Sequence, residues 1–172
     1  MAEELVRQSI LDRLIGADRL RTGGSREGRP PRSWHESVTL LERNVLRDVE
    51  ALLNSRQIDR PAAPPHLLLS RSIFNFGLVD ITSLSADSED TAQEIRQLIK
   101  ETIQRFEPRL VDVDVVQPED DEGGDSSPSR ARSVRFRVEA TLRTEPEPEH
   151  VEFETILELS SKRFEVSKEL HV

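Results

Sequence analysis

Residues 91–116 read TAQEIRQLIKETIQRFEPRLVDVDVV, and the hydrophobic period changes once within this stretch. In its first half, apolar residues recur every three or four positions, which predicts an amphipathic helix. From Leu110 onward, apolar and polar residues alternate, which predicts a strand with one buried face. Pro108 restricts the preceding residue to extended conformations, so the helix must end near Glu107. The stretch therefore predicts a helix–strand corner at which Glu107 and Arg109 point to the same side.

The rest of the chain predicts one more long helix and further strands. Apolar steps of three and four residues predict a helix over residues 35–54. Alternation predicts strands over 133–143 and 151–159, and a weaker fourth strand around 164–166. Such strands form an antiparallel meander that is covered on one side. The predicted fold class is α+β, with two core helices packed on one face of a three- to four-stranded antiparallel sheet and an additional amphipathic amino-terminal helix over 3–14.

Composition divides the chain into three parts. Residues 1–15 predict a docking helix, because a helix of about twelve residues is too short to be stable alone. Residues 16–33 combine glycine, proline and arginine, which predicts a flexible basic linker; an arm that meets an acidic protein surface or RNA is the alternative. Residues 34–170 form the predicted globular domain. Within it, the acidic stretch 117–132 is rich in Gly and Ser and is predicted to be a disordered loop.

The overall composition argues against several classes of function. A formal charge of −9 disfavours nonspecific binding to nucleic acid, whose phosphates are repelled by an acidic surface. The absence of cysteine removes disulfides and thiolate chemistry. The first residues have no signal-peptide pattern, and no apolar run approaches the roughly 18 residues of a membrane span. We expect a cytoplasmic protein with no nucleic-acid partner and no direct membrane insertion.

No catalytic or metal-binding constellation is recognisable in the sequence. A glycosidase needs two carboxylates at a defined separation, with one of them protonated. Asp112 and Asp114, however, lie on a predicted water-facing strand surface opposite Arg135 and Arg137, where cross-strand ion pairs account for them. The histidines lack the spacing of a metal site, and phosphate-binding motifs are absent. We predict no enzymatic activity, no cofactor, no metal and no small-molecule substrate.

A second informative segment is SIFNFGL at residues 72–78. It places three large apolar residues beside Gly77, which can adopt backbone conformations that other residues resist. The pattern predicts a buried turn, with Asn75 and Gly77 as its turn residues.

Two roles remain open for the charged corner. Glu107 and Arg109 could form a structural pair tied to neighbours such as Arg56 or Arg71. They could equally form a rigid docking contact, and the two roles are compatible because a rigid turn presents a rigid surface.

Four short motifs occur in order: LDRL at 11–14, LLNSR at 52–56, SIFNFGL at 72–78 and EPRL at 107–110. Together they resemble the TssE baseplate subunits of type VI secretion systems and the related baseplate wedge proteins of contractile-tail phages. Members of that family usually carry Thr at the position of Ser55 and Tyr at the position of Phe76. The acidic and arginine-rich stretches are unusual for the family, so contacts made by those stretches are not carried over.

The resemblance implies a non-enzymatic structural component of the baseplate wedge, in a cytoplasmic baseplate docked at the inner membrane. It implies TssF and TssG as baseplate partners and a role in initiating the sheath of TssB and TssC. The globular part, 34–170, is then the TssE-like domain. The expected partner contacts are Leu11, Leu14, Glu107, Pro108, Arg109 and Leu110.

The sequence leaves two other functions open. The family has been called lysozyme-like, so a peptidoglycan hydrolase is the main alternative, and a regulatory protein-binding adaptor of the same fold is another. An exposed strand edge also offers a mechanism for assembly, because an incoming chain can pair with it through main-chain hydrogen bonds. The sequence does not identify which edge is available.

Overall fold

A computed structural model describes residues 5–21, 31–57, 72–81, 89–118 and 133–168. The sheet has four strands in the order β1-β2-β3-β4, and all of its pairings are antiparallel. The strands are β1 (Leu110–Val116), β2 (Ser133–Leu142), β3 (Glu149–Glu158) and β4 (Arg163–Ser167). The described helices are α1 (Ile10–Arg21), α2 (Trp34–Asn54) and α3 (Glu89–Phe106), with a 3₁₀ turn at Ile73–Asn75.

The core lies between the sheet and the pair α2 and α3. Every second residue of β2 and β3 points into it, and Phe136 and Phe153 at its centre are fully buried. On the helices, Val49 and Ile99 are equally inaccessible, as the three- and four-residue steps predicted. The α+β architecture predicted from the sequence is confirmed.

Helix α2 begins where the sequence supplies a cap. The hydroxyl of Ser33 accepts a hydrogen bond from the backbone N–H of Glu36 at 3.2 Å. The Glu36 carboxylate in turn accepts from the backbone N–H of Arg32 at 2.8 Å. These bonds satisfy backbone donors that a helix start leaves without intrahelical partners.

The helix–strand corner forms as predicted. Helix α3 ends at Phe106, and the N–H of Glu107 still donates to the carbonyl of Ile103 at 2.8 Å. The N–H of Leu110 then donates to the carbonyl of Glu107 at 3.2 Å, which closes a turn containing Pro108. The chain leaves this turn directly as β1.

Strand β1 is less regular than its alternating sequence predicted. Its register against β2 shifts between Val111 and Asp114, and Asp112 has a φ of +52°. The extra residue forms a β-bulge, so Val113 is fully buried whereas Val111 is only partly buried.

The predicted pairing of Asp112 and Asp114 with arginines of β2 is wrong. Because of the bulge, Asp114 faces Glu139 across the strand pair. Its carboxylate instead accepts from Lys100 of α3 at 2.9 Å. Arg137 pairs with Glu152 of β3 at 3.1 Å. Asp114 is thus paired with a lysine of α3, and Arg137 is paired with a glutamate of β3.

The amino-terminal helix begins later than predicted. Residues 5–9 are not helical, and the backbone N–H of Val6 donates to the Ser37 hydroxyl of α2 at 3.1 Å. Ser9 accepts from the N–H of Asp12 at 3.1 Å, which is the contact of a helix cap. Helix α1 therefore includes residues 16–21, which were assigned to the linker. Residues 22–30 of that linker and 119–132 of the acidic stretch lie outside the described residues.

The segment at residues 72–78 passes close to the end of α2. Gly77 is buried and has a φ of +113°, a conformation that residues with a Cβ rarely adopt. The N–H of Leu78 donates to the Ser55 carbonyl at 2.8 Å, and Leu78 enters the core. Asn75 ends the preceding 3₁₀ turn.

The apolar residues of this turn are not buried as predicted. Ile73, Phe74 and Phe76 are 89%, 37% and 38% exposed. The reason is that the 3₁₀ turn precedes Gly77, and the chain turns into the core only after it.

Replacing Gly77 with alanine tests the close approach at this turn. An added Cβ would lie 2.4 Å from the Ser55 carbonyl oxygen, so Gly77→Ala is expected to destabilise the fold by more than about 2 kcal/mol. The control Val79→Ala, at a half-exposed position two residues on, should stay within about 0.5 kcal/mol. Urea denaturation measures both, and equal stability of the two variants would contradict the packing described.

Candidate partner-binding site

Arg109 holds both oxygens of the Glu107 carboxylate. Its Nε donates to Oε1 at 2.7 Å, and its Nη2 donates to Oε2 at 2.5 Å. The backbone N–H of Arg109 adds a bond to Oε1 at 3.1 Å. This is the bidentate geometry in which a guanidinium binds a carboxylate most strongly. The turn around Pro108 places these two residues in that geometry.

Asp48 of α2 joins the corner to the rest of the domain. The Nη2 of Arg109 donates to Asp48 Oδ2 at 2.7 Å. The hydrogen bond to Glu107 is the main cause that raises the pKa of Arg109 above its ordinary value; burial opposes it, and the bond to Asp48 adds to it. Arg109 is therefore a permanent cation between two carboxylates.

The same aspartate also binds the preceding residue of its helix. Arg47 Nη2 donates to Asp48 Oδ1 at 2.6 Å and to Asp12 Oδ1 at 2.7 Å. Five charged residues thus alternate in sign across α1, α2 and the corner. We call this set the charge chain: Glu107, Arg109, Asp48, Arg47 and Asp12.

Asp12 is the buried end of the charge chain on α1. Its side chain is 2% exposed, and Ser9 Oγ donates to its Oδ2 at 2.6 Å. Burial acts to raise the pKa of Asp12, but the bonds from Ser9 and Arg47, together with the charge of Arg47, outweigh burial and lower it. The carboxylate is consequently ionised in the folded protein.

Asp12 faces inward, whereas three apolar residues in the first half of α1 face outward. Ile10, Leu11 and Leu14 are 77%, 60% and 63% exposed, and we call them the α1 apolar face. The sequence predicted a helix docked through its apolar stripe. In the structure, the ion pair of Asp12 with Arg47 joins α1 to α2.

The corner residues named from the sequence occupy different environments. Pro108 is exposed, Arg109 is partly exposed and Glu107 is 5% exposed. Leu110 is 3% exposed and its side chain belongs to the hydrophobic core.

Sequence reasoning missed Asp48 as the third member of the corner. Arg56, one of the two neighbours proposed for the pair, instead forms a backbone bridge with Leu78, and Arg71 lies outside the described residues. No local sequence signal marked Asp48, because its hydrogen bond with Arg109 joins residues that are 61 positions apart.

The arrangement is poorly suited to acid catalysis. A general acid must carry a proton near neutral pH, whereas both oxygens of Glu107 accept hydrogen bonds from a cationic guanidinium. Across the described ranges, no three His, Cys, Asp or Glu side chains are grouped to hold a metal ion. Nor does any described helix have the length and hydrophobicity to cross a membrane.

An open cleft of about 1090 Å³ lies at the other end of α2. It is bordered by the amino-terminal segment around Val6, by Trp34 and by the β2–β3 connection. The Trp34 indole N–H donates to the Glu145 carbonyl at 3.2 Å, which ties α2 to that connection. None of the residues that line the cleft belongs to the charge chain.

Comparison with known proteins identifies the family to which this chain belongs. Residues 39–147 match the family described as baseplate wedge protein gp25, which is more than half of the 172-residue chain. The chain belongs to this family of baseplate wedge proteins, and membership assigns it a structural role in a baseplate. The resemblance recognised from the sequence motifs is confirmed at this level. The match includes the corner and Asp48 but not α1.

The chain was also compared with solved structures and with curated proteins. Among solved structures, the fold is similar to a chain from "The baseplate complex from the type VI secretion system", with 19% identity and a TM-score of 0.43. That alignment covers 69% of this chain and 94% of the other. A search of curated proteins found no match.

Replacing Arg109 tests whether its guanidinium stabilises the helix–strand corner. Arg109→Met would leave Glu107 buried without its cationic partner, so we expect a loss of about 2–4 kcal/mol in the free energy of unfolding. Arg143→Met is the matched control, since Arg143 is exposed and bonds to the corner through its backbone N–H, which donates to the Arg109 carbonyl at 2.9 Å and is kept in the variant; it should cost less than about 0.5 kcal/mol. Urea denaturation at neutral pH measures both, and equal values would rule out the proposed anchoring.

The lowered pKa of Asp12 predicts that the stability of the fold depends on pH. The pKa of Asp12 is lower in the folded state than its ordinary value of 3.8, so its stabilising effect is complete above that value and is lost as the pH falls through the folded pKa. Asp12→Asn should therefore be less stable than wild type at neutral pH, and the difference should shrink below about pH 4. Urea denaturation between pH 3 and 7 measures this. A deficit for Asp12→Asn that stays constant across this pH range would contradict the assignment.

Proposed function

We propose that this protein is the wedge subunit of a type VI secretion baseplate, the position that TssE occupies. In this proposal it joins TssF and TssG in the cytoplasm, in a baseplate docked at the inner membrane, and helps initiate the sheath of TssB and TssC. Family membership supports the baseplate role. The observation that carries the finer proposal is the outward direction of the α1 apolar face.

An exposed pair of leucines on an anchored helix is suited to recognition of a partner helix or groove. Burying one leucine side chain contributes about 1.5–3 kcal/mol, so Leu11 and Leu14 together can supply a substantial part of an interface. The ion pair of Asp12 with Arg47 fixes the direction in which they point. The partner therefore meets a helix whose apolar side is already oriented.

The corner offers a second contact beside this helix. Pro108 and the accessible part of Arg109 project from a turn whose backbone is held by Glu107. Since the charge chain connects this turn to α1, we propose that both surfaces bind the same wedge. The amino-terminal segment that ends with α1 (Ile10–Arg21) then acts as the docking element, and 34–170 act as the baseplate domain.

The hydrolase alternative finds no support in the described residues. Its natural candidate, Glu107, is occupied by Arg109, and the nearest carboxylate of the charge chain, Asp48, is bound to the same guanidinium. Such carboxylates hold a structure together rather than exchange protons with a substrate.

Replacing the leucines of the α1 apolar face with charged residues tests the proposal. The double variant Leu11→Asp and Leu14→Asp is expected to fold normally, because both side chains are exposed, and to lose co-purification with TssF and TssG. Arg13→Gln changes an exposed position of the same helix and should retain capture. Circular dichroism controls for folding, and sheath formation by TssB and TssC is the second readout.

Two results would overturn the proposal. Capture of the double variant at the wild-type level would exclude the α1 apolar face as the contact. A wild-type protein that stays monodisperse in the presence of both TssF and TssG would exclude the baseplate assignment to this system.

A further inference from the structure

Four large apolar side chains lie at the surface within one short segment of the chain. Ile73 is 89% exposed, Val79 is 49% exposed, and Phe74 and Phe76 are 37% and 38% exposed. We call this set the aromatic patch. Single exposed apolar residues are common in soluble proteins, whereas a cluster of them marks an interaction surface. No residue of the α1 apolar face or of the charge chain belongs to the aromatic patch.

Hydrogen bonds fix the backbone on both sides of the aromatic patch. The Ser72 hydroxyl accepts from the Phe74 N–H at 3.3 Å, and the Ser72 carbonyl accepts from the Asn75 N–H at 3.0 Å. On the other side, the N–H of Leu78 donates to the Ser55 carbonyl at 2.8 Å. An ordered turn therefore presents the apolar side chains, and a partner that binds them does not have to order the backbone first.

Phe76 connects the aromatic patch to the end of α3. Its ring packs in a T-shaped arrangement with the ring of Phe106, with the centroids 5.5 Å apart and the planes at 65°. The guanidinium carbon of Arg105 lies over the Phe106 ring, 6.0 Å from its centroid. Arg105 is itself exposed. The apolar surface thus continues from the 3₁₀ turn to the last turn of α3, where it meets a cation.

Further cations border the aromatic patch at its other end. Val79 lines a small surface pocket together with Arg56, Lys162 and Asp80. Arg56 is exposed, and neither it nor Arg105 forms an ion pair with any carboxylate in the part of the chain that the structure describes. With Arg105, these bordering residues carry three positive charges and one negative charge, on a chain whose formal charge is −9.

The backbone of this segment leaves recognition to its side chains. The N–H groups of Asn75, Phe76 and Leu78 all donate to carbonyls within the chain, so they are not available to a partner's backbone. An amphipathic helix recognises a surface through side chains, because its own backbone groups are already paired and its apolar residues form one stripe. Carboxylates beside that stripe would complement the bordering arginines.

We propose that the aromatic patch binds an acidic amphipathic helix of a partner protein. The apolar stripe of that helix contacts Ile73, Phe74 and Phe76, and carboxylates beside the stripe face Arg56 and Arg105. Arginine suits this role because its guanidinium binds a carboxylate through two parallel hydrogen bonds. The inference goes beyond the proposed function and does not depend on it, because the surface is distinct from the α1 apolar face.

Two designed helical peptides test the proposal on the full-length protein. Both carry leucines at three- and four-residue steps; one has glutamate on both sides of this stripe, and the other has lysine. Fluorescence anisotropy of the labelled peptides measures both affinities. The net charge of the chain favours the lysine peptide, whereas the proposed site should bind the glutamate peptide at least about tenfold more tightly. Added salt should reduce this preference.

Substitutions locate the binding on the surface. Ile73→Ser changes the most exposed side chain of the aromatic patch, and it should weaken binding of the glutamate peptide about tenfold. The control Leu5→Ser changes an apolar residue that is 39% exposed elsewhere on the surface, and it should leave the affinity unchanged. The double variant Arg56→Gln and Arg105→Gln keeps the apolar side chains and should remove the preference for glutamate. Circular dichroism controls for folding.

Three results would overturn the proposal: no measurable binding of the glutamate peptide, equal or tighter binding of the lysine peptide, or wild-type affinity in Ile73→Ser. Loss of binding in Leu14→Ser with full binding in Ile73→Ser would assign the peptide to the α1 apolar face instead. None of these measurements uses another baseplate protein, so their outcome is independent of the test of the proposed function.

Discussion

The buried carboxylate of Glu107 is the constraint on which the surrounding architecture depends. A charge that is only 5% exposed is stable only when its oxygens are paired, and Arg109 pairs both of them. That requirement fixes the turn at Pro108, the direction in which β1 leaves α3 and the approach of α2 through Asp48. One local pair thereby sets the relative positions of two helices and the first strand.

Much of the fold was predictable because its signals are local. The period of residues 91–106, the proline at 108 and the alternation in β2 and β3 each specify an element without help from the rest of the chain. The bulge at Asp112 was not predictable in this way, because β1 keeps its alternating sequence and only the pairing with β2 exposes the extra residue. A pattern describes which residues prefer burial but not the register that buries them.

The site was predictable in part. The spacing of Glu107 and Arg109 indicated their mutual contact, whereas Asp48 and Asp12 joined them through tertiary structure alone. The helix start was misplaced because the apolar residues around Leu5 and Ile10 suggested one stripe, while the cap at Ser9 begins α1 later. In consequence Leu11 and Leu14, which were expected to contact a partner, face outward, and an aspartate occupies the inner side.

Asp48 serves two cations at once, with Oδ1 bound to Arg47 and Oδ2 bound to Arg109. The amino-terminal helix and the corner therefore share one negative charge. If one guanidinium withdraws from Asp48, the carboxylate remains bound to the other, so the contact of α2 with the corner and the contact of α2 with α1 both depend on neighbouring charges of a single helix turn.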